Sequence, residues 1–304
     1  MKAKHASLAA LFALSAAQAC QPGEKPVFLT FDTGHMGVAP LVAELLKRYD
    51  ARATFFIANE PTLSDGRTLD EEWAPWWRAR AVEGHDFGSH TWDHDTWVED
   101  LPEGRFRVKT GGGIEVQRPR ELTAAQYCEG LNKSAERFQA ITGKAMAPIF
   151  RAPAGKTSPA LLAVAKACGY SHVGWSAAGF LGDELPSERY SNEQLLARAL
   201  RDIKPGDILM AHLGIWSRQD AWAPAVLAPL MKGLSERGLC FAPLREHPRY
   251  AKLMKEPLVI KPYTPPSTPL PPPWSPAAST VSPARSAASA PPPPVTPPAS
   301  QSQP

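Results

Sequence analysis

Seven short apolar runs, at residues 27–31, 53–57, 85–88, 148–151, 171–175, 207–212 and 239–244, alternate with segments whose apolar residues recur at helical spacing. The helical segments are 38–49, 122–141, 159–167, 192–203 and 223–237. This rhythm constrains the fold more than any other feature. Apolar runs of strand length separated by amphipathic helices join through crossovers, which makes neighbouring strands parallel. One stretch breaks the pattern: residues 105–117 contain Gly111-Gly112-Gly113 and read as an inserted hairpin. Trp73, Trp76 and Trp77 share one helical stretch and are best explained by packing.

The polar residues choose between an open sheet and a barrel. Asp32 follows the first strand, His90 and His94 follow the third, Arg151 ends the fourth, Trp175 the fifth and His212 the sixth. All fall at the same end of their strands, and in a parallel (β/α) barrel those ends form one mouth where side chains from several strands meet. A chance scatter of surface histidines would not respect strand polarity. The expected class is therefore α/β, an irregular seven-stranded (β/α) barrel. The run GSHTWDHDTW sets His90 and His94 four positions apart with Asp93 between them. Two imidazoles so placed share one divalent ion where the backbone turns both rings the same way.

The ends of the chain are of different character. Lys2 and Lys4 precede an apolar run from residue 8 to 17 and a small-residue cleavage pattern, Ala17-Gln18-Ala19. Residues 1–19 therefore read as a secretory signal peptide, too short for a permanent membrane span. The mature chain then starts at Cys20, has no transmembrane segment and is periplasmic or secreted, with lipid modification of Cys20 the second reading. Residues 251–304 hold 17 of the 33 prolines and read as a disordered Pro/Ser/Ala-rich tail, leaving 20–250 as one domain long enough for a sizeable core. Leader and tail carry +2 and +3 of a chain total of +3, so the part between them stands at −2 and has no basic footprint for nucleic acid. Cys20, Cys128, Cys168 and Cys240 lack CxxC spacing. They allow three full disulfide pairings, with Cys168 and Cys240 in apolar runs that also suit buried thiols.

Four stretches, LTFDTGH, GSHTWDH, FRAPAG and ILMAHLG, resemble in this order the signature motifs of the polysaccharide deacetylases, the carbohydrate esterase family 4 enzymes with a NodB-like domain. The similarity spans roughly residues 25–245 and extends to RATFFIANE and GLCFAPL. It implies the irregular barrel of the glycoside hydrolase/deacetylase superfamily, a divalent metal such as zinc, and an acetylated glycan substrate. By that resemblance His90 and His94 hold the metal, Asp32 is the general base, Arg151 keeps Asp32 ionised and aimed, and His212 is the general acid. Trp175, Trp92 and Pro153 are then the expected substrate contacts.

Two positions depart from the family pattern. Where a second aspartate usually serves as third metal ligand, this chain has Thr33. Two imidazoles with extra water, a swing of Asp32 onto the metal, and a contact from His35 are the three ways to make good the loss. Where an acidic residue usually supports the general acid, this chain has Ala178, with Asp183 the nearest acid that can reach back. The expected activity is metal-dependent hydrolysis of N-acetyl groups on a polysaccharide. O-acetyl ester hydrolysis and a binding-only, degenerate member are the alternatives.

Overall fold

The computed structural model describes residues 19–111, 118–267 and 269–273. The signal-peptide expectation, most of the triple-glycine turn and the far tail lie outside the described residues.

All seven expected strands form, in one parallel sheet. They are β1 (Lys25–Asp32), β2 (Thr54–Ile57), β3 (Asp86–Ser89), β7 (Ile149–Phe150), β8 (Ser171–His172), β9 (Ile208–His212) and β10 (Leu239–Phe241). The order is β10-β1-β2-β3-β7-β8, with β9 also paired to β1. The edge between β8 and β9 is bridged by the connecting chain: Ser176 N donates to Ile208 O at 3.0 Å and Leu181 N to Met210 O at 3.2 Å. The sheet is thereby curled into an irregular barrel. Between the strands run α1 (Ala39–Arg48), α2 (Ala74–Val82), α3 (Ala124–Thr142), α4 (Pro159–Ala167), α5 (Asn192–Asp202) and α6 (Ala228–Glu236), the last entered through one wide turn at Ala223–Leu227.

The expected hairpin belongs to a larger unit. Strands β4 (Thr96–Leu101), β5 (Arg105–Thr110) and β6 (Arg118–Thr123) form a separate antiparallel sheet. Its last strand consists mostly of exposed polar residues, so hydrophobic patterning did not reveal it. Thr123 ends β6 and caps α3 through a reciprocal bond pair with Gln126, which is why the helix begins after residue 123 and not at 122.

Strand parity builds both the core and the site. In β1, Val27, Leu29 and Phe31 join the cluster under the helices, while Phe28 belongs to a second cluster with Phe56, Ile149, Val173 and Ile208 that fills the barrel. Side chains alternate with a period of two, so Asp32 points inward two rungs above Phe28. The same parity turns Arg151 and His212 inward above Ile149 and Ile208, and His90 inward beyond Gly88, the register partner of Phe56. Trp77 is fully buried among Phe55, Phe87 and Phe138, as the packing reading of the tryptophan cluster expected.

The structure fixes the cysteine pairing that spacing left open and shows contacts made by the stretch after residue 250. Cys128 and Cys168 are disulfide-bonded with their Cα atoms 5.9 Å apart, so Cys168 is not a free core thiol. Cys20 pairs with Cys240 at 5.5 Å between Cα atoms, which consumes the sulfur that a lipid thioether would need. Part of the chain beyond residue 250 contacts the domain. Leu258, Ile260, Tyr263 and Leu270 pack on the two outer clusters, and Asn132 Nδ2 donates to Lys261 O at 3.0 Å. Spaced apolar residues in a proline-stiffened segment find a surface that average composition conceals.

Candidate active site

Asp32 and His212 are register partners on adjacent strands β1 and β9, and both line one cavity of about 460 Å³ with Glu60, His90, His94 and Trp175. Arg151 is fully buried behind it, and its Nη1 donates to Asp32 Oδ1 at 2.7 Å. The other guanidinium nitrogens are fixed as well, Nε to Val173 O at 3.2 Å and Nη2 to Gly174 O at 3.1 Å. Burial alone would raise the Asp32 pKa. The Arg151 guanidinium, helped by the charged ring of His212, outweighs it and holds the carboxyl below its ordinary value.

The two histidines are drawn together as the spacing suggested, with ring centroids 5.0 Å apart. His90 Nδ1 lies 2.8 Å from the Arg151 carbonyl oxygen, so Nδ1 carries the proton and Nε2 keeps its lone pair. That Nε2 faces Asp32 Oδ2 at 3.7 Å. Burial, opposed by Asp32, lowers the His90 pKa to about 4, which keeps the ring neutral. His94 is held at φ 51, in the left-handed region that non-glycine residues rarely adopt, and its Nδ1 is buried with no hydrogen-bond partner among the described residues. A strained backbone aiming an orphaned imidazole nitrogen beside a neutral imidazole suits a divalent cation. Among the described residues no three His, Cys, Asp or Glu side chains close into a full ligand set, so these two rings form an open pair.

Asp183 does reach back. Its Oδ2 accepts from His212 N at 2.7 Å, and its carboxylate oxygens lie 3.1 and 3.2 Å from His212 Nδ1. Burial works to lower the His212 pKa, but the Asp183 carboxylate, with Asp32 and Glu184 beyond it, lifts it to about 10. The ring is therefore a charged donor at neutral pH.

Other expected residues are scattered. Trp175 lines the main cavity, its ring 5.5 Å from the Arg151 guanidinium and seated against Gly155, where an added Cβ would come within 2.7 Å of it. Pro153 is buried and does not line the cavity; its neighbours Ala154 and Lys156 do. Trp92 sits in a separate depression with Asn59 and Asp93, under the Lys133 ammonium 4.3 Å from its ring. His35 lies in a neighbouring apolar pocket, packed edge-on against Trp216 with centroids 5.1 Å apart, and its Nδ1 accepts from Gly37 N. It is therefore no substitute for the missing ligand. Thr33 is buried and donates its hydroxyl to Glu60 Oε2 at 2.5 Å while accepting from Ala58 N at 3.1 Å. Glu60 escaped the sequence reading, since a lone acid in a loop carries no pattern.

A family model described as polysaccharide deacetylase matches residues 20–173. A chitooligosaccharide deacetylase of Azorhizobium caulinodans is 28% identical over 231 residues, covering 73% of this chain and 93% of the relative. A peptidoglycan-N-acetylglucosamine deacetylase of Bacillus cereus is 25% identical over 228 residues, 75% of this chain and 90% of the relative. In structure, the chain is similar to a family 4 acetyl xylan esterase from Clostridium thermocellum in complex with a cobalt ion. The TM-score is 0.55 at 22% identity, over 75% of this chain and 91% of that one.

Proposed function

The chain belongs to the polysaccharide deacetylase family, hydrolases of carbon–nitrogen bonds other than peptide bonds, and from that premise we propose that it removes N-acetyl groups from an exported bacterial glycan. The observation that carries this reading is the opposition of Asp32 and His212 across one rung, the first held anionic by Arg151 and the second held cationic by Asp183. A base and an acid with oppositely tuned proton affinities, facing one cavity, are what amide hydrolysis requires.

In this reading His90 and His94 hold a divalent cation, zinc by the character of the donors, which supplies polarisation of the acetyl carbonyl and a more acidic water. The cobalt bound by the structurally similar esterase supports a cation of that kind. Asp32 accepts the proton of the attacking water, and Arg151 fixes its direction. His212 then protonates the sugar nitrogen as the carbon–nitrogen bond breaks, giving acetate and a free amine, and Asp183 stabilises the imidazolium. The strength of that support favours an amide substrate over an O-acetyl ester, whose alcohol leaves with less help from an acid. It also favours a working enzyme over a binding-only barrel, because Asp183 replaces the acid lost at Ala178. Trp175 provides a flat apolar face for a sugar ring.

No helix among the described residues is long and apolar enough to cross a membrane. Export with oxidation of Cys20 and Cys240 fits a soluble periplasmic or secreted enzyme. Release of acetate from chitin oligomers, peptidoglycan fragments and acetylated xylan tests the function. Acetate with an equal yield of free amine from the first or second supports it. Acetate from xylan alone, or sugar binding with no acetate after zinc loading, overturns it.

A further inference from the structure

One aromatic wall of the cavity serves neither the acid–base pair nor the imidazoles. Trp216 follows β9, four residues beyond His212, and is half-buried. It lines the same cavity as Asp32, His212 and Trp175, with Ile215 and Ser217 beside it. A half-buried indole on the wall of a ligand cavity offers flat apolar area, which suits the C–H face of a pyranose.

The indole is held in place from a second pocket. The His35 ring meets it edge-on, with centroids 5.1 Å apart and 76° between the planes. His35 lines the neighbouring pocket and not the main cavity, so it supports the indole without occupying space for a substrate. The ring is itself fixed, because its Nδ1 accepts from Gly37 N at 3.0 Å, and burial lowers its pKa so that this nitrogen keeps its lone pair. The backbone is clamped as well: His35 N donates to Gly214 O at 3.2 Å and Leu63 N to His35 O at 3.1 Å.

Two glycines make room for this arrangement. At Gly214, with φ +122, an added Cβ would stand 2.2 Å from Cε1 of the His35 ring, and at Gly34 one would stand 2.1 Å from Gly214 O. The loops after β1 and β9 therefore pass with bare backbone between them, and the imidazole takes up the space that a side chain at 214 would need.

We propose that Trp216 is a substrate contact, stacking on a sugar ring bound beside His212, and that His35 is the positioning residue that sets its indole. This rests on the reading of the cavity as a glycan site. A tryptophan free to swing on a loop loses rotamer freedom each time a ligand binds, whereas one already held by a neighbouring ring does not. The His35 side chain thus contributes affinity without touching the sugar.

The test is calorimetric titration of the zinc-loaded full chain with an N-acetylglucosamine tetramer and with a peptidoglycan fragment. The reference protein carries Asp32→Asn so that the sugar is not consumed. Adding Trp216→Ala is expected to weaken binding about tenfold, and adding His35→Ala about threefold or more. The two together are expected to bind no more weakly than Trp216→Ala alone, since without the indole His35 has nothing to position. His35→Phe restores a ring against the indole and is expected to regain most of the affinity. With Asp32 intact, His35→Ala is expected to raise KM while kcat stays near wild type.

Trp216→Ala within about twofold of the reference overturns the proposal, as do losses that add in the double variant. So does a His35→Ala protein with a lower melting temperature and unchanged affinity, the mark of a purely structural role. Should His35→Ala not fold, His35→Asn, which keeps an acceptor for Gly37 N but lacks the ring, takes its place. Failure of the reference to bind either sugar rejects the glycan reading and this proposal with it. Binding that none of these variants changes rejects only the roles of Trp216 and His35.

Discussion

Asp183 grips His212 twice, through the backbone nitrogen at 2.7 Å and through ring Nδ1 at 3.1 Å, although 29 residues separate them in the chain. The first bond fixes the strand end and the second fixes the tautomer, so Nε2 is the nitrogen left to face the cavity. Because the carboxylate raises the His212 pKa, the ring stays protonated up to about pH 10 and activity is lost as pH rises through that value. Asp183→Asn removes the negative charge while keeping an acceptor, so the alkaline limb of the kcat/KM profile is expected to move to lower pH. The acid limb, set by Asp32, stays in place. A pH profile of the variant whose alkaline limb coincides with wild type would refute this coupling.

Arg151 and Asp32 form an ion pair with side-chain exposures of 0% and 5%. Removing one partner of a fully buried pair leaves an uncompensated charge, at a cost of about 3–5 kcal/mol. Arg151→Met is therefore expected to lower the unfolding free energy by that amount in urea titrations, while Arg151→Met with Asp32→Asn recovers much of it. Turnover stays lost in both, since Asp32→Asn alone is expected to cost about 10²–10⁴ in kcat. Two single losses that simply add in the double variant would contradict a direct pairing.

Much of this site was legible in the sequence because strand parity and strand polarity are periodic signals. Asp32, His90, Arg151, Trp175 and His212 each lie at or just past the end of an apolar run, and the folded chain brings four of them to one cavity with Arg151 buried behind Asp32. Asp183, Glu60 and Glu184 lie on connections, where no period relates a residue to its partner. Only the gap at Ala178 hinted that the acid now on His212 must arrive from elsewhere. Pro153 and Trp92 follow only from residue type and motif neighbourhood, and neither lines the cavity, because loop direction depends on contacts that are not local. The packing of Leu258, Ile260, Tyr263 and Leu270 was hidden for the opposite reason, a strong compositional signal masking four spaced apolar side chains.

The Cys20–Cys240 bond ties the first residues of the domain to its last strand, across a sequence separation of 220. Closing so long a loop removes entropy from the unfolded chain worth roughly 5 kcal/mol. Cys240→Ser is expected to lower the melting temperature clearly, and reduction of the wild type to lower it further by opening Cys128–Cys168 as well. Intact mass of the exported protein should show four oxidised cysteines. A mass increment of a diacylglyceryl group on Cys20 would exclude the pairing in the mature enzyme.

Gly155 offers a way to move a cavity wall without touching the acid–base pair. It adopts φ +65, and a Cβ there would meet the Trp175 ring at 2.7 Å. Gly155→Ala combines a left-handed backbone penalty of about 1–2 kcal/mol with displacement of the indole from the Arg151 guanidinium. Its stability is expected to fall by at least the backbone term. If Trp175 forms the platform under the sugar, KM rises while the pH limbs set by Asp32 and His212 stay where they were. Trp175→Ala should reproduce the KM effect without the backbone cost, because it removes the ring and leaves Gly155 unstrained. The pair of variants thus separates stacking from strain: steady-state kinetics in which Gly155→Ala raises KM and Trp175→Ala does not would assign the effect to the distorted turn and remove Trp175 from the substrate contacts.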